Sequence, residues 1–257
     1  MMGRSADADL HYNVGEPFAA SVRLYDFDAL AICSASFEGA TIEGMRQNLA
    51  VNVEGTLQLL KLATDSRVPH LLYVSTVSAI SGDDCYGLTK AMAEKVLVQL
   101  CVNLDIALTI IRPSQVYDTS GTAARHQPFF YNVLNQVAAG RDVMVYGTKD
   151  VERNYLHVDD LARVLLACLR SGTAGTFNAV HPTSTKVSEL VGVACSAFES
   201  RSRINFDPAK PDLATLHFPQ TDSIFEVIPK LSCRSLKQGL QEIAALWKSQ
   251  GAEAIQP

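Results

Sequence analysis

The chain has 257 residues, 47% of them hydrophobic, enough to bury a large core as one α/β domain or as one domain with a smaller lobe. Its net charge of −5 and pI near 5.7 leave no basic footprint, which argues against a nucleic-acid partner. Six cysteines, at 33, 85, 101, 168, 195 and 233, show no CxxC spacing and point to a reduced cytoplasmic interior, while no apolar run is long enough for a membrane span or a signal-peptide core.

Residues 1 to 20 are polar, and the spacing predicts a helix from Glu16 to Asp28 and an apolar strand from Ala29 to Ala35. The turn-rich loop SFEGATIEG leads into a long helix from about Met45 to Ala63, with Leu49, Val53, Leu57, Leu60 and Ala63 as its buried stripe. Leu71 to Val74 is an apolar run of strand length, so Ser75 and Thr76 sit where a strand exits. A short polar loop follows, then a helix with Met92, Val96, Leu97 and Leu100 at helical spacing and with Tyr86 and Lys90 on one face. Ile106 to Arg112 has the β-branched content of a buried parallel strand, and Pro113 ends it. Beyond it the pattern predicts a helix over Gln127–Gly140, a short strand over Asp142–Tyr146 and a helix over Val158–Leu169 with acidic residues at its start. A strand at Thr176–Val180 and helices at Val187–Phe198 and Ser235–Trp247 complete the chain. Strand and helix alternate almost throughout, which calls for a mostly parallel sheet covered on both faces.

A phenol is a poor base near neutrality because its ordinary pKa is about 10. A cation one turn away would stabilise the phenolate, and a Ser or Thr hydroxyl could hold the substrate oxygen between them. Thr76, Tyr86 and Lys90 could thus remove a proton from an alcohol. YxxxK alone is a common accident on any helix, so the flanking segments must decide.

Those segments are NVEGTLQLLKLA at 52, YVST at 73, YGLTK at 86, IIRPSQVYD at 110, RNYLHVDDLA at 153 and TDSIFEVIPK from 221. In this order they resemble the extended short-chain dehydrogenase/reductase superfamily, in its NAD-dependent nucleotide-sugar epimerase/dehydratase branch, over roughly residues 28 to 245. The resemblance implies a Rossmann-like, doubly wound, mostly parallel α/β sheet as a single domain over residues 1–257, with residues about 118–150 and 181–235 contributing a small C-terminal substrate-binding lobe. It implies NAD or NADP as cofactor, no metal, a nucleotide-sugar substrate, and a homodimer formed through the helices at Asn52 and Tyr86.

Carried over residue by residue, the resemblance makes Thr76, Tyr86 and Lys90 catalytic, with Lys90 also binding the nicotinamide ribose and tuning the phenol. Ser75, Pro113 and Val116 would face the nicotinamide, and Asn52 would lie under the active site, unless it is an ordinary polar helix residue. Arg153 would grip a diphosphate through two parallel hydrogen bonds, the alternative being a solvated Arg before a helix. Tyr146 would contact the nucleotide base or pack in a β-hairpin lobe, while His157, Asp159 and Asp160 read as loop and helix-cap architecture.

Two departures narrow the reading. Where dehydratases of the family carry an Asp-Glu pair after the Thr, this chain has Val77 and Ser78, which leaves epimerisation or simple carbonyl/alcohol redox. None of the fifteen glycines sits in GxxGxxG spacing, and Asp9-Leu10 corresponds to the pair that ends the family's third strand and faces the adenine. The sheet is therefore expected to be N-terminally incomplete, through truncation, a half supplied by another chain, or a degenerate N-terminus. Epimerisation is the first expectation; the alternatives are a catalytically silent binding or regulatory subunit and a reductase of a small carbonyl or thioester.

Overall fold

The computed structural model describes residues 2–3, 10–11, 14, 26–228 and 230–250. Asp9 and all but the last three residues of the helix expected over Glu16–Asp28 lie outside the described residues. The chain divides into two units: Met1–Pro113 with Leu165–Asn178, and Ser114–Val164 with Ala179–Pro257.

The first unit is built on a sheet with the strand order Gly175–Ala179, Ala107–Pro113, His70–Val74, Leu30–Ile32. The last three run parallel, with Ile32 beside Tyr73 and Tyr73 beside Ile110. Leu71, Leu72 and Tyr73 are all fully buried, as a strand covered on both faces requires, and this is why the segment reads as an unbroken apolar run. The Leu30–Ile32 strand is shorter than the predicted Ala29–Ala35 because the chain peels away beyond it. Ser36 donates its N–H to Asn52 Oδ1 at 2.8 Å, and its carbonyl accepts from Asn52 Nδ2 at 3.0 Å, in place of a ladder.

The long helix is present but not uniform: Ile42–Asn48 is α-helical, Leu49–Glu54 is a π-helical stretch, and Gly55–Asp65 is α-helical again. Its buried residues include Asn48, Asn52, Thr56, Leu59, Leu60, Leu62 and Ala63; Leu60 and Ala63 of the predicted stripe are among them, but Leu49, Val53 and Leu57 are not. Wider i→i+5 turns rotate the downstream face. The two asparagines are drawn inward by bonds to the preceding loop, Asn48 to Glu38 and Asn52 to Ser36.

The helix Cys85–Leu104 starts where Asp84 accepts the Gly87 N–H at 2.6 Å and ends at Asp105 in a left-handed conformation. Its buried face carries Thr89, Lys90, Ala93, Glu94, Leu97 and Cys101. Of the predicted stripe only Leu97 is fully buried, and Met92 is exposed. Polar residues replace apolar ones on the inner face because each finds a partner there.

In the second unit Gln115–Tyr117 pairs in parallel with Tyr155–His157, and Val143–Tyr146 pairs in parallel with Ile204–Asp207. The latter pairing replaces the β-hairpin expected around Tyr146: its partner strand comes from beyond the helix Val187–Phe198. Helices Pro128–Ala138, Val187–Phe198 and Leu236–Gln250 enclose a core that includes Phe130, Leu134, Leu190, Leu240, Ile243 and Trp247. Among the described residues no helix is long and apolar enough to cross a membrane.

Candidate active site

In the first unit the exit of the His70–Val74 strand is held beyond its ladder. Ser75 donates its N–H to the Ile111 carbonyl at 2.7 Å and Val77 to the Pro113 carbonyl at 3.1 Å, which fixes the backbone on both sides of Thr76. Thr76 Oγ1 accepts the Ser78 N–H at 3.2 Å and opens the one-turn helix Ser78–Ser81. Gly87 lies against the Ser78 backbone so closely that a β-carbon there would collide with it, so only glycine lets the start of the Tyr86 helix approach the strand exit. The approach brings the Thr76 hydroxyl close enough to the Tyr86 phenol to act on its pKa.

One turn further, Lys90 is 1% exposed; its ammonium donates to the Val74 carbonyl at 2.7 Å and lies 4.0 Å from the centroid of the Tyr73 ring. Burial pulls its pKa down to about 7, against the opposing influence of Cys33 and Glu94. The Tyr86 phenol moves the other way: burial raises it, the Asp84 charge adds to this, and the Thr76 hydroxyl only partly opposes them. The expected lowering of the phenol by its lysine is thus not found in this structure. The ammonium is engaged by Val74 and Tyr73, and at neutral pH Tyr86 is an acid rather than a base.

Asn52 is fully buried beneath these residues and is no ordinary polar helix residue. Besides holding Ser36, its amide donates to Thr89 Oγ1 at 3.0 Å, and Thr89 stands between Tyr86 and Lys90 in the next helix. The Ser34 and Ser75 hydroxyls, each just past the paired end of its strand, are buried and have no hydrogen-bond partner among the described residues. Three neighbours of the set escaped the sequence reading. Phe37 stacks on the Tyr86 ring with centroids 4.2 Å apart, Cys33 lies within electrostatic reach of Lys90, and Glu94 forms an ion pair with Arg112. Only Glu94 had a local signal, four residues after Lys90 on the same helix face.

In the second unit Val116 sits in the Gln115–Tyr117 strand beside Leu156. Arg153 is 7% exposed, not solvated. One of its donors reaches the Glu152 carbonyl at 2.8 Å, the Phe129 ring lies 5.9 Å from its guanidinium carbon, and burial lowers its pKa. The buried Tyr155 hydroxyl, which feels the Arg153 charge, has no hydrogen-bond partner among the described residues. Tyr146 is 51% exposed, so its ring is not core, and Lys210 approaches its face at 5.9 Å. His157 and the following acids are structural: the imidazole Nδ1 accepts the Asp159 N–H at 3.1 Å, and buried Asp160 accepts the Arg234 N–H at 2.7 Å.

Comparison with known proteins gives the family and the fold. A dTDP-4-dehydro-6-deoxy-D-allose reductase from a Streptomyces species is 26% identical over 140 residues, covering 54% of this chain and 43% of that protein. This chain's match thus spans less than half of that relative's length. The UDP-N-acetylglucosamine 4-epimerase of Bacillus cereus superposes with a TM-score of 0.76 at 16% identity, covering 95% of this chain and 88% of that one. RMD from Pseudomonas aeruginosa, complexed with NADPH, superposes with a TM-score of 0.72 at 18% identity, covering 87% and 82%. Residues 18–179, more than half of the chain, match the NAD dependent epimerase/dehydratase family, and to that family this chain belongs.

Proposed function

We propose that the chain is a nicotinamide-dependent redox enzyme that interconverts an alcohol and a carbonyl on a nucleotide-linked sugar, with epimerisation as the overall reaction. The observation that carries this reading is the convergence of Thr76, Tyr86 and Lys90 at one strand exit. The residues there suit the nicotinamide end of NAD or NADP. An ammonium has three donors, of which Lys90 commits one to Val74, and the unpartnered Ser75 and Ser34 hydroxyls add polar contacts beside it. Pro113 and Val116 would offer backbone to the carboxamide, and Asp9 stands as the residue for the adenine end.

When bound, the nicotinamide supplies the hydride chemistry. Tyr86 exchanges a proton at the reacting sugar oxygen, and Thr76 hydrogen-bonds that oxygen and the phenol in turn. Phe37, stacked on the phenol, helps to keep water from it. Arg153 would take the diphosphate: a guanidinium has five N–H donors, and the bond to Glu152 uses one, which leaves a fork for two parallel bonds to an anion. Tyr146 would stack on the nucleotide base.

A specific observation favours a second reading, reduction. Burial keeps Tyr86 protonated, and a protonated phenol gives its proton to a carbonyl oxygen without prior activation. Leu88, Met92, Val98 and Val102, exposed on the Lys90 helix, support a homodimer through this helix and the Asn52 helix. Six free thiols suit a reducing, cytoplasmic setting.

The deciding experiment is calorimetric titration with NAD⁺ and NADPH, followed by UDP-, GDP- and dTDP-sugars with product analysis. Inversion of a sugar carbon without net oxidation supports epimerisation, and net consumption of NADPH supports reduction. If neither nucleotide binds, the enzyme reading fails and a binding or regulatory subunit takes its place.

A further inference from the structure

Lys90 is a buried cation whose surroundings explain its position only in part. Two groups contact it, the Val74 carbonyl and the Tyr73 ring, and two more act on it electrostatically, the Cys33 thiol and the Glu94 carboxylate. The Cys33 thiol, on an exposed residue, opposes the loss of the Lys90 proton more strongly than Glu94 does, but Glu94 is the one carboxylate of the set. Glu94 is 5% exposed and one helical turn from Lys90 on the same inner face.

The carboxylate is itself anchored. Both its oxygens accept from Arg112 Nε, at 2.9 and 3.2 Å, and one also accepts from Nη2. Arg112 follows Ile111, which pairs with Val74 in the ladder and whose carbonyl takes the Ser75 N–H at 2.7 Å. The ion pair therefore fastens the Lys90 helix to the strand beside the one whose Val74 carbonyl receives the ammonium.

We propose that Glu94 is a positioning residue for Lys90: anchored by Arg112, its carboxylate both sets the helix face on the Val74 carbonyl and supplies the counter-charge of the buried ammonium. It touches no reacting atom and acts through Lys90. This inference rests on the role given to Lys90 above, yet its test reads Lys90 directly, so it can fail while nicotinamide binding stands, or hold while that binding fails.

The test follows the ¹³Cε resonance of Lys90 against pH by NMR in the full chain, assigned by its loss in Lys90→Arg. The parent midpoint should lie at about 7. Glu94→Gln keeps the shape and removes the charge, and should lower the midpoint by about one unit, a tenfold drop in the ratio of protonated to neutral amine at a given pH. Glu94→Asp, which keeps the charge, should restore most of it. Leu97→Ala, which loosens the same helix without touching a charge, should leave the midpoint in place. Where Glu94→Gln does not fold, Glu94→Gln with Arg112→Met removes the pair as a unit without stranding a buried guanidinium, and should shift the midpoint in the same direction. A midpoint that stays with the parent's in Glu94→Gln, or in Glu94→Gln with Arg112→Met where the single variant does not fold, or an equal shift in Leu97→Ala, overturns the proposal.

Discussion

Lys90 in the first unit and Arg153 in the second are both withdrawn from water, at 1% and 7% exposure. Their surroundings differ. Lys90 is met by a carbonyl, an aromatic face and, one turn away, a carboxylate that is itself tied down. Arg153 has a single backbone carbonyl, a more distant ring and, among the described residues, no acidic partner within ion-pair distance. A buried charge is costly unless it is paired. The first cation is met by partners that the fold supplies, although burial still pulls its pKa down to about 7, and in the proposed function it is a fixed part of a proton-handling set. The second keeps most of its donors uncommitted, as a group that completes its bonding with an anionic ligand would.

The sharpest way to break this contrast is to remove each chemical group in turn. Tyr86→Phe and Lys90→Met should each lower turnover of the responsive sugar nucleotide by roughly 10²–10⁴, the range for a lost proton-transfer group, while UDP or dTDP affinity stays within about threefold. Arg153→Met should do the reverse: UDP or dTDP affinity, measured by calorimetry, should drop about 10- to 100-fold, or roughly 1.5–3 kcal/mol for a charged hydrogen-bonding group, with the unfolding midpoint held or raised. Lost stability with unchanged affinity would make Arg153 a structural residue and erase the contrast.

Asn52→Leu tests the support beneath the first cation. It strands the Ser36 backbone and removes a partner of Thr89, and should cost about 1–3 kcal/mol in urea unfolding. The smallest expected effect is a pH slope. The folded chain holds Lys90 at about 7 against an ordinary 10.5, so above pH 7 the unfolded chain binds the extra proton and stability rises with pH. His70, His126 and His157, all lowered from 6.5, act in the same sense but have finished titrating below that window. Thiols such as Cys101 and Cys168, raised to about 11, act in the opposite sense at higher pH. The urea midpoint should therefore climb from about pH 7 to about pH 8.5 in the parent and flatten in Lys90→Met.

Much of the fold was readable from local pattern. The helix Val187–Phe198 and the strand around Tyr73 fall where apolar spacing placed them, because burial of one face leaves its period in the residues themselves. The long helix was located, but its inner face only in part. A π-helical stretch shifts the phase, and the residues that turn inward are asparagines whose partners, Ser36 and Glu38, lie in a loop. The partner of the Tyr146 strand was missed for a related reason: Ile204–Asp207 is distant in sequence, and pairing leaves no periodic trace of which strand is chosen.

The candidate site divides along the same line. Tyr86 and Lys90 share a helix face by spacing alone, the helix begins at Asp84 by local capping, and Thr76 ends a strand by apolar run length, so the identity and order of these groups belong to the sequence. Their charge states belong to the tertiary structure. Burial raises the phenol, the Val74 carbonyl and Tyr73 ring engage the ammonium, and Arg112, brought from another strand, anchors the carboxylate that opposes the loss of its proton. A pKa is set by desolvation and by charges within a few ångströms, and which groups come that close is decided only when distant segments pack.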